Sequence, residues 1–573
     1  MALTAKLTRR EALASVSSVC VAAALPAPPE AHGDTADRLI AEATREPRAM
    51  RDGSRPFSEA DRQADRLPDN SIAGTVDTAR RSREFLSRAS RISSRHLPSA
   101  QRDALDTLVW DLGCDVAAEP FYYREFPLGY SFSQLVSLTL QFLASANADS
   151  IGNYLAKARQ APTYVDNIRL RLLGQLQRNL TVPRAEGERA VAQFRKESKE
   201  VANALAAAAA ANGGAFASEL TQIIAGPLAA SFAALAETLE RKYVPALAEQ
   251  SRMARGDGAK AYFRILSNAR LSDQLDIASV HQMATDALAD IDADLARMRR
   301  SLGGPSNADA FNKSMAGNPR WFVRDAADLT ARFDSAVARV TPLAAHYFHR
   351  LPATPFRVAP LPDFLSDRLL NGYFSGPTKA DPRGTYFFNT SHLDVANWAW
   401  IKPLVSHELM PGHHLQGAML FERTDLSAYQ RGTFVGAVAE GWGEYARRLM
   451  EEAGYYEDDP WGLYASRLLD RRFALRTVVE SGITHSNWTW QKAAEQLATD
   501  PLTRPETTHQ IALAAASFRS TGLLYWWGLQ RFFKLREQAK SAARAAFDIR
   551  DFHARVMTGE VPPFSILENR VLG

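Results

Sequence analysis

The sequence feature that most constrains the fold is a helical stretch that is interrupted within a group of histidines. It reads Val405-Ser406-His407-Glu408-Leu409-Met410-Pro411-Gly412-His413-His414-Leu415-Gln416. Pro411 has no N–H to donate to the carbonyl of His407, and its ring collides with that carbonyl in a regular helix. The helix must therefore break or bulge here, and Gly412 supplies the backbone freedom for the change of direction.

The residues around this break are those of a helical metal site. His407 and Glu408 are followed after the break by His413 and His414. Helical zinc hydrolases place two histidine ligands and a carboxylate base on one helix face, with the second histidine four residues after the first. Pro411 takes that place here, so the Pro-Gly pair delays the second ligand. The helical phase does not decide between His413 and His414.

A third ligand is expected from an acidic pair further along the chain. Hydrolytic zinc has three protein ligands and keeps one position for water. Glu440 and Glu444 lie one helical turn apart on one face, so one carboxylate can bind the metal while the other orients a ligand. Such a pair alone is more typical of a solvated helix face, but the histidines nearby favour a metal site.

These motifs resemble a large bacterial family, DUF885, which is a domain of unknown function. The matching segments are His-Glu-x-x-Pro-Gly-His-His-x-Gln at 407–416, Glu-Gly-Trp-x-x-Tyr at 440–445, the segment around Glu480-Ser481-Gly482, and the ending Asp548-Ile549-Arg550-Asp551-Phe552. The likeness extends more weakly over roughly residues 60 to 570. The family is grouped with zinc metallopeptidases whose third ligand is glutamate.

The resemblance implies a set of roles for these residues. The first histidine after Pro-Gly is the more constant in the motif, which favours it as the second ligand. The implied zinc ligands are His407, His413 and Glu440. Glu408 is expected to take a proton from water and return it to the leaving amine. The resemblance also implies His485 and Tyr525 as candidate donors to the oxyanion.

Length and composition describe an ordinary globular protein. The chain has 573 residues, of which 46% are hydrophobic and 23% charged, and no long Gly/Ser or Pro linker divides it. We predict one large catalytic domain over 34–570, with a mostly helical N-terminal part (34–350) and a metal-site part (351–573). The formal charge of +4 is spread over interspersed residues and gives no support to nucleic-acid binding. Cys114 is the only cysteine outside the leader, so we expect no disulfide.

The N-terminus has the form of a bacterial export signal. Arg9 and Arg10 precede the mildly apolar segment 14–25, and a Pro-rich and polar run follows. This form is typical of a Tat signal. We predict a signal peptide over 1–27, recognition by the Tat translocon and a periplasmic location; the alternative is an N-terminal helix that begins with two arginines. No other apolar run reaches the roughly 18 residues that span a bilayer, so we expect no stable membrane insertion.

The remaining pattern predicts a mainly α-helical fold. Residues 129–145 are predicted to form a buried helix, and the alanine-rich run 201–240 predicts helix interrupted at Asn212-Gly213-Gly214. Short β-prone segments at 355–362 and 384–389 predict strands. We expect the helices to enclose a deep cleft, with a small β-sheet next to the metal helix.

Candidates for substrate binding come from this sheet and from one helix. The strand just before the metal helix contains Tyr386 and ends at Asn389. It is positioned to pair with the backbone of an extended peptide, although a small structural sheet is an equally good interpretation. Arg471, Arg472 and Arg476 share a helix, and a guanidinium group binds a carboxylate in a bidentate way. Of the three, Arg476 is the candidate that we select.

The predicted activity is zinc-dependent hydrolysis of peptide bonds in short peptides or dipeptide-like amides, because a deep cleft excludes folded proteins. A metal-dependent hydrolase of non-peptide amides or esters would use the same ligands. A periplasmic binding protein without turnover is the third alternative. Glu408 disfavours it, because a binding protein needs no general base.

Overall fold

Helices form most of the chain. The computed structural model describes residues 35–45, 64–129, 133–145, 151–305, 307–361, 372–379, 381–390, 393, 399–501, 503, 505–519 and 521–573. The predicted mainly α-helical fold with a small sheet is confirmed, whereas the predicted signal peptide over 1–27 lies outside the described residues.

The helices are numbered here in chain order. They are α1 (Ala36–Arg45), α2 (Ile72–Ala89), α3 (Ser99–Ala118), α4 (Gln134–Ser145), α5 (Ile151–Gln177), α6 (Arg184–Asn212), α7 (Gly214–Ile223), α8 (Ala229–Glu237), α9 (Asp257–Leu271), α10 (Ile277–Ser301), α11 (Ala308–Ala316), α12 (Ala326–Ala345), α13 (Ile401–Leu404), α14 (His413–Glu422), α15 (Ala428–Gly432), α16 (Gly436–Glu452), α17 (Pro460–His485), α18 (Trp490–Leu497), α19 (Pro505–Ala516), α20 (Gly522–Ala543), α21 (Ile549–Val556) and α22 (Phe564–Leu572). The predicted interruption of the alanine-rich run is present, because α6 ends at Asn212 and Gly213 has a φ of +64°.

A three-stranded sheet lies before the metal helix. Its strands are β1 (Phe356–Pro360), β2 (Gly372–Ser375) and β3 (Gly384–Phe388), in the order β1-β3-β2. β1 runs parallel to β3, and β2 runs antiparallel to it. The strands predicted at 355–362 and 384–389 are confirmed, whereas β2 was not predicted.

The position of β3 corrects one expectation. β3 is the central strand, so its backbone N–H and C=O groups are hydrogen-bonded to β1 on one side and to β2 on the other. An extended peptide can pair only with a strand that has an unpaired edge. The prediction that the strand just before the metal helix pairs with substrate backbone is therefore wrong for β3.

One large hydrophobic core joins both predicted parts of the chain. Its buried residues extend from Leu67 to Val571. Near the candidate site, α16 packs along α20, and α10 packs along α17. The first of these contacts is very close, because a Cβ added at Gly441 would lie 2.4 Å from the Cα of Gly528. Glycine at both positions lets the two backbones approach.

The segment Gly214–Ala246 bears on a second expectation. It contains α7 and α8, and an 18-residue window within it has a mean hydropathy of 1.3, which is sufficient for a membrane span. The sequence analysis considered only uninterrupted apolar runs, and alanines raise the mean hydropathy here without forming one. Leu220, Leu228 and Leu235 are buried in the main core, but only 22% of that window is buried.

Gly528→Ala should destabilise the fold, because the added Cβ would lie 2.1 Å from the carbonyl oxygen of Ala437. Overpacking of this kind costs about 1–3 kcal/mol, so the thermal unfolding midpoint should fall. Gly113→Ala is the matched control, since an added Cβ in the middle of α3 has nothing within 4 Å. It should be neutral or raise the free energy of unfolding by up to about 1 kcal/mol. A midpoint for Gly528→Ala at or above that of wild type would contradict the close packing of α16 on α20.

Candidate metal centre

The predicted break in the metal helix is present. α13 continues into a π-helical turn, Val405–Leu409, and Met410 then leaves helical geometry with φ −117° and ψ 126°. α14 begins at His413. A Cβ added at Gly412 would lie 1.7 Å from the carbonyl oxygen of His407, so only glycine fits at this return of the chain. The tight return brings His413 back beside His407.

His407, His413 and Glu440 form a cluster that could hold a metal ion. Their candidate ligand atoms all lie within 4.8 Å of one another. Glu440 Oε2 is 3.4 Å from Nε2 of His413 and 3.6 Å from Nε2 of His407. Ligands of a tetrahedral zinc ion, each about 2.1 Å from the metal, are about 3.4 Å apart. The donor types and their spacing therefore fit a zinc site with three protein ligands.

His414 lies outside this cluster. It is 1% exposed, and its Nε2 donates to the carbonyl oxygen of Thr354 at 3.1 Å. Burial lowers its pKa to about 4, so the ring is neutral. Its Nδ1 lies against β3, where a Cβ added at Gly384 would be 2.4 Å away. The choice that helical phase left open is therefore decided in favour of His413.

Glu444 contacts the Nδ1 edge of the His407 ring, whereas Nε2 of that ring faces Glu440. Oε1 of Glu444 is 2.9 Å from Nδ1 of His407, at an angle outside that of an ideal hydrogen bond. Its other oxygen accepts from Nη2 and Nε of Arg447 at 2.5 Å and 3.1 Å. Glu444 therefore has the position predicted for the carboxylate of the pair that orients a ligand.

Arg447 is a supporting residue that the sequence analysis did not identify. It is fully buried, donates to the carbonyl oxygen of Ser466 at 2.8 Å, and pairs with Asp470 on α17. Burial lowers its pKa, but the carboxylates of Asp470 and Glu444 outweigh this effect and raise the pKa well above its ordinary value. The sequence contained one signal for this ion pair, because Arg447 follows Glu444 by three residues on a predicted helix.

Charges of opposite sign face one another within the cluster. Burial lowers the pKa of His407, but Glu440 and Glu444 outweigh burial and raise the pKa to about 10. Burial raises the pKa of Glu440, but His407 and His413 hold that pKa well below its ordinary value. Glu440 is therefore ionised, as a carboxylate ligand of a cation must be.

Glu408 lies beside the cluster as the neighbour of His407 in the chain. Burial raises the pKa of Glu408; His407 and His413 oppose this effect, and Glu440 and Glu444 add to it. The net result is a pKa above the ordinary value. A carboxyl group with a raised pKa at such a cluster is suited to accept and return a proton.

Two tyrosines, the partly buried Tyr525 and the buried Tyr386, lie close to the cluster. The ring of Tyr525 is parallel to that of Phe473, with centroids 4.3 Å apart and an angle of 2°, and it also stacks on His407 at 6.1 Å. Burial raises the pKa of Tyr525, and nearby carboxylates add to the effect. Tyr386 is 1% exposed, and burial followed by Glu408 raises its pKa. Both phenols therefore keep their protons and can donate hydrogen bonds.

The structure does not bring His485 to the cluster. Its ring packs against His281, with centroids 5.5 Å apart. At about 1.5 Å per residue, His485 is about 18 Å further along α17 than Phe473, which contacts Tyr525. Tyr525 is therefore the remaining one of the two candidate oxyanion donors.

The remaining substrate-binding candidates lie on two different elements. Asn389 follows β3 and is 5% exposed. Arg476 lies on α17 near Tyr525, and burial lowers its pKa.

A cavity of about 270 Å³ lies on the side of Glu444 and Tyr525, and none of the three cluster residues lines it. It lies between α10, α16, α17 and α20, and both Glu444 and Tyr525 line it. Phe473 and Trp526 supply apolar surface, and Arg467 supplies a charged group. The cavity therefore reaches both the carboxylate behind His407 and the tyrosine stacked on that histidine.

Fold and site together define a mainly helical protein with a His-His-Glu cluster beside a small mixed sheet. Residues 53–571 match the family described as "Bacterial protein of unknown function (DUF885)", and the chain belongs to that family. The family expected from the motifs is thus confirmed. No curated protein matches the chain.

Two solved structures share this fold. One is described as the putative lipoprotein from Colwellia psychrerythraea; it is 18% identical, with a TM-score of 0.76, over 88% of this chain and 91% of that one. The other is described as a putative lipoprotein of unknown function from Shewanella oneidensis. It is 16% identical, with a TM-score of 0.67, over 89% of this chain and 94% of that one. At these identities the likeness shows the fold alone.

His413→Ala should lose the metal that the cluster is predicted to bind, whereas His414→Ala should keep it. Two remaining protein ligands rarely hold zinc tightly, and the Nε2 atom of His414 is occupied by Thr354. Zinc per chain would be measured by atomic emission after dialysis, and we expect about one zinc in wild type and in His414→Ala. Full zinc in His413→Ala would contradict the ligand assignment.

Glu444→Gln should weaken zinc binding by about 10- to 100-fold, because the neutral amide supports the ligand His407 less well. Glu451→Gln is the matched control, since Glu451 also lies near Arg447, at 3.6 Å, on the same helix. It should bind zinc with nearly wild-type affinity in competition with a chelator. An equal loss in both variants would attribute the effect to the surroundings of Arg447 and not to the contact with His407.

Proposed function

We propose that this protein is a zinc-dependent hydrolase that cleaves peptide bonds in short peptides or dipeptide-like amides. The observation that carries the proposal is a further glutamate, Glu408, with a raised pKa beside a His-His-Glu cluster whose candidate ligand atoms all lie within 4.8 Å of one another. Structural zinc sites usually have four protein ligands, whereas hydrolytic sites have three and an adjacent base. Three candidate ligands and one further glutamate correspond to the hydrolytic arrangement.

Each residue of the site has its own role in the proposed reaction. His407, His413 and Glu440 would hold the ion, and zinc, when bound, supplies Lewis-acid polarisation and lowers the pKa of water. Glu408 takes the proton of the attacking water and gives it to the leaving amine. Tyr525 donates a hydrogen bond to the negative charge that develops on the carbonyl oxygen.

The surroundings of the cluster support a small substrate. The cavity of about 270 Å³ that Tyr525 lines has room for an amino-acid side chain but not for a folded chain. The buried phenol of Tyr386 and the amide of Asn389 are groups that can orient a peptide, and they act through their side chains because β3 is paired on both edges.

We also propose that the protein is exported to the periplasm. The twin-arginine form of residues 1–27 supports recognition by the Tat translocon. The two solved structures compared above are described as putative lipoproteins, which supports an exported protein. Tat export carries folded proteins, which would suit an enzyme that acquires its metal before export.

Glu408→Gln should keep the metal and the affinity for short peptides but lose nearly all hydrolysis. The amide has the shape of the carboxylate but cannot accept a proton, and removal of a general base costs about 10²- to 10⁴-fold in rate. We would measure kcat on a panel of free peptides, N-acyl amino acids and esters, together with zinc content. The panel also separates a peptidase from a hydrolase of other amides or esters.

Glu422→Gln is the matched control for this experiment. Glu422 lies at the end of α14, where it accepts from the backbone N–H of Thr354 at 2.9 Å, away from the cluster. This variant should hydrolyse peptides as fast as wild type. If Glu408→Gln also does so, the chemistry occurs elsewhere; if wild type cleaves no member of the panel, the hydrolase proposal fails.

A further inference from the structure

We propose that Arg476 binds the free C-terminal carboxylate of the substrate, so that the enzyme removes residues from the C-terminal end of short peptides. This inference rests on the proposed hydrolytic function, and it names the substrate group that the same site recognises. It is carried by the position of Arg476 and by the contrast between Arg476 and the other arginines of α17.

The arginines that precede Arg476 on α17 have acidic partners. Arg471 pairs with Asp292 at 2.6 Å, and Arg472 pairs with Asp500 at 2.9 Å. Arg476 has no hydrogen bond or ion pair with any residue that the structure describes, and its Nε atom is buried without a partner. The side chain as a whole is only partly buried, so its guanidinium group remains within reach of a ligand. An anionic ligand would supply the partner that the described residues do not provide.

Arg476 lies next to the catalytic groups through the contact of α17 with α20. Phe473 stacks on Tyr525, and a Cβ added at Gly522 would lie 2.3 Å from the Cβ of Arg476. Along α17 and along α20, the contact at Tyr525 and the contact at Gly522 are about one helical turn apart, which is about 5 Å. Arg476 is therefore about one turn from Tyr525, and the ring of Tyr525 in turn stacks on His407 with centroids 6.1 Å apart.

The acidic residues near Arg476 do not pair with it, so its guanidinium group can bind an anion. Burial lowers its pKa, and Arg472 lowers it further, whereas Asp500 and Glu480 raise it without restoring the ordinary value. Asp500 is paired with Arg472. Glu480 accepts a hydrogen bond from the backbone N–H of Gly522 at 2.6 Å, so its carboxylate binds the N-terminal residue of α20. Both acidic neighbours are therefore engaged elsewhere.

The spacing indicates a carboxylate close to the cleaved bond. Each residue of an extended peptide spans about 3.3–3.6 Å, so a turn of helix corresponds to about one or two peptide residues. A guanidinium group forms two parallel hydrogen bonds with a carboxylate, which also fixes its orientation. A free C-terminus held at Arg476 would place one of the last peptide bonds at the cluster.

The test compares tripeptides that have a free C-terminal carboxylate with the same tripeptides as C-terminal amides. Wild type should prefer the acid in kcat/KM by on the order of 100-fold or more, because an unpaired charge in the binding site penalises the amide. Arg476→Met should reduce this preference to nearly one. Arg476→Lys keeps the charge but loses the planar fork, so it should show an intermediate preference. N-terminal acetylation should change neither result.

Arg471→Met is the matched control, because it removes a partly buried arginine on the same helix that pairs with Asp292. It should keep both the activity and the preference for the acid. Zinc content and the thermal unfolding midpoint establish that each variant is folded. Equal rates on acid and amide in wild type, or an undiminished preference in Arg476→Met, would overturn the proposal.

Binding measurements separate failure of the hydrolase proposal from failure of the proposal for Arg476. If wild type cleaves no peptide, the hydrolase proposal fails, and calorimetric titration with the same tripeptide acids and amides decides the role of Arg476. Tighter binding of the acid that disappears in Arg476→Met would support the carboxylate site. Equal affinity of wild type for acid and amide, or no binding of either, would overturn it.

Discussion

The buried charge of Arg447 is the constraint on which the metal centre depends. A guanidinium group without exposure requires carboxylates around it, because an unpaired buried charge is strongly destabilising. Arg447 lies among Glu444, Glu451 and Asp470, which belong to α16 and α17. The same arrangement keeps Glu444 ionised beside His407. The packing of two core helices and the orientation of a candidate metal ligand therefore depend on one set of contacts.

Close backbone approach is the second constraint, and glycines make it possible. Gly412 lets the chain return to His407 after the break, and a Cβ at Gly443 would lie 2.6 Å from Cε1 of the same histidine. Gly441, on the opposite side of α16, meets Gly528 of α20. The two glycines of the Glu-Gly-Trp-Gly-Glu segment thus have different neighbours. One makes room for a ligand, and the other makes room for a helix.

Two arginines on neighbouring helices illustrate how ion pairing separates structural from ligand-binding roles. Arg447 is surrounded by Asp470, Glu444 and Glu451, so its contribution is to hold other side chains in place. Arg476 lies on the neighbouring helix without a partner among the described residues, although Arg472 in the preceding turn is paired. Loss of one partner of a buried ion pair is strongly destabilising, so Arg447 and its carboxylates hold one another in place, whereas an arginine without a partner is available to a ligand of opposite charge.

The sequence by itself determined the features that depend on residues close together along the chain. They are the break at Pro411, the candidate ligands His407 and Glu440 with one of His413 and His414, the candidate base Glu408, and the strands near 356 and 384. Only the tertiary structure decided the features that depend on which distant segments meet. It separated His414 from the cluster, placed His485 away from it, put β3 between two other strands and assigned opposite surroundings to Arg447 and Arg476. Local spacing and helical phase carry no information on such contacts, because they arise from the packing of α16, α17 and α20 in one core.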